Sequence, residues 1–291
     1  MNNLVLYCLT VLIWGSTWIG IKYQLGVVEP MASVAHRFLL SAVLMFLYLL
    51  LRQRRLRYPP GDHALMLLQG LCLFCINYYF VYVSELTLTS GLVAVVFSNL
   101  LIFNIFNGAL FLNMPVRPQV LLGAALGLVG MVAVFWPELE ALDLSDATFV
   151  ALLMCLAGTF SASLGNILAV RNQRRQIPVL VCNAYGMAYG SAAMYIAALL
   201  FDVPITVDWT PVYLGSLVYL SVFGSVIAFW AYITLIGRIG ADRAGYSNLL
   251  YPLVALLIST AVEGYQWSLA ALCGVALVVC GNWLVMRAAK G

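Results

Sequence analysis

Aromatic side chains recur at helical spacing within strongly apolar stretches of this 291-residue chain. Trp14 and Trp18 stand four residues apart, as do Tyr78 and Tyr82, so each pair shares one helix face. Indole N–H and phenol O–H groups need hydrogen-bond partners when they are buried. If these faces turn toward the interior of the bundle, they line a cavity for an apolar or aromatic solute. Turned outward, they form an interfacial belt or pack helices, and a belt suits Trp18 better than Trp14.

Two asparagines and one arginine supply the polar chemistry. Asn99 and Asn248 hold the same position in a repeated Ser-Asn-Leu-Leu tetrapeptide. They predict either hydrogen bonds between helices or a polar patch for an amino or carboxylate group. Arg37 lies inside an apolar stretch, where a charge requires a partner. An ion pair with Glu85 or Glu29 at an outer gate is favoured over a clamp for a substrate carboxylate.

The residue types needed for catalysis are scarce. The chain has two histidines, His36 and His63, and neither is placed with a nucleophile and a base. Cys72 and Cys75 have the spacing of a metal or redox pair, but no second pair completes such a site. We therefore predict no catalytic residue, no metal and no cofactor, and we interpret the cysteines as small packing residues.

The composition predicts an all-α membrane protein. Hydrophobic residues make up 64% of the chain and charged residues 9%, against about 25% charged in a soluble domain. A helix that crosses the hydrocarbon needs about 20 apolar residues. Ten stretches meet that requirement: 4–22, 31–51, 64–84, 89–111, 118–136, 147–170, 179–201, 212–235, 244–262 and 267–286.

Charge sorting predicts the orientation of these spans. Lys and Arg near span ends remain on the cytoplasmic side. With both termini cytoplasmic, twelve of the 14 basic residues lie inside: Arg52, Arg54, Arg55, Arg57, Arg117, Arg171, Arg174, Arg175, Arg238, Arg243, Arg287 and Lys290. Nine of the 11 acids lie outside: Glu29, Glu85, Glu138, Glu140, Asp143, Asp146, Asp202, Asp208 and Glu263. Adding or removing one span would destroy this pattern.

The two halves of the chain resemble each other. The tetrapeptide at Ser98 recurs at Ser247, an offset of 149 residues, and the glycine-rich stretch 123–130 recurs as 274–281, an offset of 151. Since each half holds five spans, the second copy must insert upside down. We predict two inverted five-helix repeats, residues 1–144 and 145–291. The glycine faces predict close helix packing, with a homodimer contact as the alternative.

Three motifs resemble the drug/metabolite transporter superfamily in its EamA-type branch. They are Ile13-Trp14-Gly15-Ser16-Thr17-Trp18, then Pro30 with Arg37-Phe38, and Tyr251-Pro252 followed by Glu263. The first repeat departs from the pattern, with Asn113-Met114-Pro115 where the second has Glu263-Gly264. The resemblance covers all ten predicted spans. It implies alternating access through a central cavity and export of amino acids or related metabolites across the bacterial inner membrane, most nearly as in the aromatic amino acid exporters.

Other functions remain as alternatives. A nucleotide-sugar or sugar-phosphate carrier would need several inward Lys or Arg side chains to hold phosphate, and only Arg37 and Lys22 qualify. An intramembrane enzyme and a membrane scaffold fit the polar and aromatic faces less well. The expected partners are a small solute, the lipid bilayer and a second copy in a homodimer, with no nucleic acid. The absence of an acid at mid-span weighs against tight proton coupling.

Overall fold

The computed structural model describes residues 1–26, 28–143, 145–262 and 267–287, and all regular structure in these ranges is helical. Each predicted span overlaps a helix, although the helix in the span predicted at 244–262 begins only at Tyr251. The main helices are α1 (Asn3–Lys22), α2 (Pro30–Leu51), α3 (Pro60–Ser84), α4 (Ser90–Leu112), α5 (Pro118–Val134), α6 (Asp146–Arg174), α7 (Val179–Leu200), α8 (Pro211–Ile239), α9 (Tyr251–Val262) and α10 (Leu269–Arg287).

Proline and hydroxyl side chains set where these helices begin. Proline stands within the first two positions of α2, α3, α5 and α8, where the missing N–H has no intrahelical role. Ser145 caps α6 by accepting a hydrogen bond from the Thr148 amide, and Thr89 caps α4 through the Leu92 amide. These local signals lie in the connections, so the apolar runs between them remain uninterrupted.

The structure is that of a multi-pass membrane protein. Seven described helices are long and apolar enough to cross a bilayer: α1, α2, α3, α4, α6, α8 and α10. Large apolar side chains also face outward, among them Leu51 and Leu200, each 75% exposed. Such a surface is stable in lipid and unstable in water.

Corresponding helices of the two halves are interrupted at corresponding places. A π-helical segment, Leu71–Ile76, lies within α3, and another, Leu220–Ile227, lies within α8. Their first residues are 149 positions apart (220 − 71), which is the offset of the repeated tetrapeptide. α4 has a turn at Ser98, and the 3₁₀ turn Tyr246–Leu249 leads into α9. π-Helical turns are rare and are frequently found at functional sites.

Glycines let α5 and α10 pack at backbone distance. A Cβ added to Gly130 would lie 2.6 Å from the Gly274 carbonyl oxygen, and one added to Gly123 would lie 2.8 Å from that of Gly281. Residue numbers rise along α5 while they fall along α10, so the two helices are antiparallel. Both glycine faces are therefore used within one chain.

α2 and α7 are a second antiparallel pair. We call such a contact crossed when each residue meets the counterpart of the other in the repeat. The rings of His36 and Tyr195 lie 5.8 Å apart, and those of Phe46 and Tyr185 lie 4.9 Å apart. Adding 149 to positions 36 and 46 gives 185 and 195, so each residue contacts the counterpart of the other. A two-fold relation between two units produces contacts of this form.

Candidate functional site

A cavity lies between α1, α3, α4, α6, α8 and the start of α9. Its internal space measures about 660 Å³, counting the part open to solvent. The residues that line it are Trp14, Thr17, Ile21, Leu73, Asn77, Tyr78, Val81, Phe97, Leu100, Ala162, Asn166, Phe229, Tyr232, Asn248 and Tyr251. Most of them are apolar or aromatic.

Trp14 is the centre of the aromatic wall. Its ring makes edge contacts with Phe229, Tyr232 and Tyr251 at centroid distances of 4.8, 5.0 and 5.2 Å. Its indole N–H donates a hydrogen bond of 2.8 Å to the Gly224 carbonyl, which belongs to the π-helical segment of α8. That bond satisfies the polar edge of the indole, so its remaining surface is free to contact an apolar solute.

Tyr78 and Phe229 are neighbours in the cavity wall. Each lies two residues beyond a π-helical segment, and they are 151 positions apart. Their ring centroids are 6.1 Å apart. The two halves of the chain therefore contribute corresponding aromatic residues to the same wall.

A polar cluster adjoins the cavity at two of its lining residues, Asn166 and Tyr232. Asn166 donates its amide N–H to Asn104 Oδ1 and to the Tyr232 hydroxyl, both at 3.3 Å. Asn104 in turn donates to the Ala241 carbonyl at 3.2 Å. These bonds join α4, α6 and α8 to the segment that precedes α9.

Two cavity asparagines retain an unused acceptor. Asn77 Oδ1 and Asn166 Oδ1 are buried and have no hydrogen-bond partner. A buried acceptor without a donor costs about 1–3 kcal/mol. A folded protein rarely keeps such groups without a reason, and a bound ligand is one.

Arg37 lies behind this wall. The residue is 1% exposed; its Nε donates to Ser225 Oγ at 2.9 Å and its Nη1 to the Tyr82 hydroxyl at 3.3 Å. The Tyr82 hydroxyl donates to Gln24 Oε1 at 3.0 Å. Tyrosine and serine hydroxyls thus hold the guanidinium in place. Glu85 lies close enough to Arg37 for their charges to interact. Its Oε1 is buried without a hydrogen-bond partner.

The structure brings some of the predicted site residues together and separates others. Trp14, Tyr78 and Asn248 line the cavity, whereas Tyr82 positions Arg37 outside it. Asn99 donates its amide N–H to Val96 of its own helix and is not among the lining residues. The Trp18 side chain lies outside the part of the chain that the structure describes, as does Glu263.

The structure adds Asn166, Phe229, Tyr232 and Tyr251 to the site. Tyr251 belongs to one of the three motifs that carry the family resemblance, but Asn166, Phe229 and Tyr232 carry no local signature that separates them from packing residues. Phe229 does follow from Tyr78 once the repeat is aligned with its two-residue shift. Within the described ranges, no three His, Cys, Asp or Glu side chains gather as a metal site would require. Cys72 and Cys75 are free thiols.

Comparison with known proteins identifies the class. The EamA-like transporter family matches the chain twice, over residues 2–136 and 148–287. A solved crystal structure shares the fold with a TM-score of 0.82, covering 99% of this chain and 97% of that one at 18% identity. This chain belongs to the EamA-like transporter family, and it is a transporter rather than an enzyme.

Several relatives align over most of their length. The uncharacterized inner membrane transporter YedA of Escherichia coli K12 is 30% identical, over 87% of this chain and 80% of the relative. Protein PagO of Salmonella typhimurium LT2 is 21% identical, over 98% and 92%. A probable amino-acid metabolite efflux pump of Escherichia coli K12 is 24% identical, over 96% and 93%.

Proposed function

We propose that this chain exports neutral amino acids, the aromatic ones foremost, or closely related metabolites, and that they pass through the cavity around Trp14 and Tyr78. The observation that carries the proposal is the cavity wall itself. Aromatic rings cover most of it, a few amides and hydroxyls interrupt them, and its described lining residues include no ionised side chain. Such a wall suits a solute with a flat apolar part and a small polar head.

Ten spans in two inverted repeats, residues 1–144 and 145–291, are the architecture we propose for transport. The crossed contacts of α5 with α10 and of α2 with α7 support it, because a two-fold axis in the membrane plane makes corresponding helices antiparallel. The two family matches, 2–136 and 148–287, also support this division. The contact between Tyr78 and Phe229 supports a cavity close to that axis.

Alternating access follows from this architecture. With both termini in the cytoplasm, the hydrogen-bonded cluster of Asn166, Asn104 and Tyr232 lies toward the cytoplasmic ends of α4, α6 and α8, where it would act as a gate. Rocking of one repeat against the other would break the polar cluster and expose the same cavity to the cytoplasm.

The relatives support the substrate class and the location. The efflux pump of Escherichia coli is named for amino-acid metabolites, and YedA is named for the inner membrane. A nucleotide-sugar carrier is the second candidate, and the cavity argues against it. Phosphate requires Lys or Arg in the wall, and the described lining residues include neither. A homodimer through the glycine faces would compete with the packing of α5 on α10.

Counterflow in proteoliposomes tests the proposed function. Vesicles loaded with each common amino acid in turn would be diluted into a trace of labelled phenylalanine. Neutral aromatic amino acids should drive accumulation, while glutamate, lysine and a nucleotide sugar should not. Accumulation driven by the nucleotide sugar alone would contradict the proposal.

A further inference from the structure

The three asparagines in the cavity wall have amide orientations that their neighbours fix. The Leu73 carbonyl only accepts hydrogen bonds, so the Asn77 amide nitrogen, 3.4 Å away, must face it. The Asn248 amide nitrogen likewise faces the Gly245 carbonyl at 2.8 Å. In both residues the oxygen is therefore the atom that remains for other contacts.

The orientation of Asn166 is fixed through one further residue. The Ala241 carbonyl requires the amide nitrogen of Asn104, which turns Asn104 Oδ1 toward Asn166. Asn166 must then present its nitrogen to Asn104, and its own Oδ1 is left over. A reversed amide would place two oxygens, or two N–H groups, against each other.

Two of these three oxygens, those of Asn77 and Asn166, are buried away from water. Asn77 is 4% exposed and Asn166 is 1% exposed, and the Oδ1 atom of each lacks a donor. Both residues line the cavity, on α3 and α6. Acceptors of this kind attract an N–H donor and repel a carboxylate.

Aromatic rings in the same wall also favour a cation. Trp14 and Phe229 line the cavity together with the two asparagines, and aromatic faces attract ammonium groups. We propose that Asn77 and Asn166 form the subsite for a protonated amine, so that the cavity selects solutes by an ammonium group attached to an apolar body. This proposal rests on the cavity being the solute site of the proposed function. It deepens that function by naming the ammonium group as the part of the solute that the cavity recognises.

Direct binding to the purified, full-length protein tests the subsite with three probes that share one ring. They are 2-phenylethylamine, which carries only the ammonium, 3-phenylpropionate, which carries only the carboxylate, and phenylalanine, which carries both. The amine and phenylalanine should bind at least about tenfold more tightly than 3-phenylpropionate, the equivalent of one charge-assisted hydrogen bond. Equal binding of the amine and the acid, or no binding of the amine, would overturn the proposal without any variant.

Matched variants locate the effect. Asn77→Leu and Asn166→Leu should each weaken 2-phenylethylamine binding by about tenfold or more. Asn107→Leu is the control, because Asn107 is buried and bonded to Ser163 Oγ but does not line the cavity; it should bind the amine as the wild type does. Folded Asn77→Leu and Asn166→Leu proteins with wild-type amine affinity would contradict the assignment.

The same protein separates this proposal from the proposed function. If 2-phenylethylamine binds through Asn77 and Asn166 but no amino acid drives counterflow, the amine subsite stands and the proposed function fails. If amino acids drive counterflow while 3-phenylpropionate competes as well as 2-phenylethylamine, transport stands and the amine subsite fails.

Discussion

The guanidinium carbon of Arg37 lies 4.7 Å from the centre of the Tyr78 ring. One face of the ring thus covers a buried cation, while Tyr78 also contributes to the cavity wall. The contact is of the cation–π type, which gains strength where water is excluded. The described residues of the cavity wall include no ionised side chain. The contact with the Tyr78 ring explains how the charged Arg37 can still lie directly behind that wall.

Arg37 and Glu85 should prove energetically coupled. Glu85 has a buried oxygen without a partner, whereas Glu29 is exposed at the start of α2. Removing Arg37 leaves Glu85 uncompensated, so a double-mutant cycle on detergent stability should give a coupling on the order of 1 kcal/mol for Glu85 and near zero for Glu29. Exchanging the two charges (Arg37→Glu with Glu85→Arg) should restore part of the transport lost in Arg37→Ala. Zero coupling with both acids would favour Arg37 as a clamp for a substrate carboxylate.

Glu85 should also make stability depend on pH. Burial raises the pKa of this carboxyl, one residue beyond α3, from 4.5 to about 8, and Arg37 opposes the shift. Tyr82 and Cys155 are the other titratable groups near it. Because the folded pKa is raised, the stabilising contribution is complete below about pH 4.5 and is lost as the pH rises through about 8.

The measurement is the melting temperature in detergent between those two pH values. The wild type should lose stability as the pH rises, and Glu85→Gln, which cannot ionise, should lose less. Identical slopes for the two proteins would remove Glu85 as the source.

The packing of α5 on α10 predicts a sharp difference between two glycines. Gly130→Ala places a methyl group 2.6 Å from the Gly274 carbonyl oxygen, whereas Gly215→Ala, in α8, meets no atom within 4 Å. Overpacking of this kind costs about 1–3 kcal/mol. Gly130→Ala should therefore lower the melting temperature, and Gly215→Ala should leave it unchanged or raise it. Equal melting temperatures would contradict the contact.

Accessibility of single cysteines tests the orientation. In a background without the seven native cysteines, an impermeant thiol reagent added to intact cells should label Leu142→Cys, which lies between α5 and α6. It should not label Arg55→Cys, which lies between α2 and α3. The reverse pattern would contradict cytoplasmic termini.

The positions of the helices were predictable because lipid imposes a simple rule on the sequence. A long apolar run must be a helix, and proline at positions such as Pro30, Pro60 and Pro211 shows where one begins. The shorter helices α5 and α9 were also found from their apolar runs. The π-helical segments were not, since Leu71–Ile76 and Leu220–Ile227 contain no residue type that requires a π turn.

The site was only partly predictable because burial depth and helix rotation are tertiary properties. Trp14 and Tyr78 were found through their spacing, but Tyr82 shares a face with Tyr78 and still bonds Arg37 instead of lining the cavity. Asn99 and Asn248 are equivalent in sequence, yet only Asn248 is among the lining residues. The backbone also differs at the two positions: Asn99 lies in a turn within α4, whereas Asn248 lies in the 3₁₀ turn before α9.

Replacement of Tyr78 is the measurement that tests the central claim most directly. Tyr78→Ala removes a flat contact from the cavity, so the counterflow rates for phenylalanine, threonine and a neutral aliphatic amino acid should change their order. Tyr213→Ala is the control, because Tyr213 is a buried tyrosine that is bonded to Ser33 and lies outside the cavity. It should lower the melting temperature and keep the order of rates. A Tyr78→Ala protein that also keeps the wild-type order would contradict a solute pathway through this cavity.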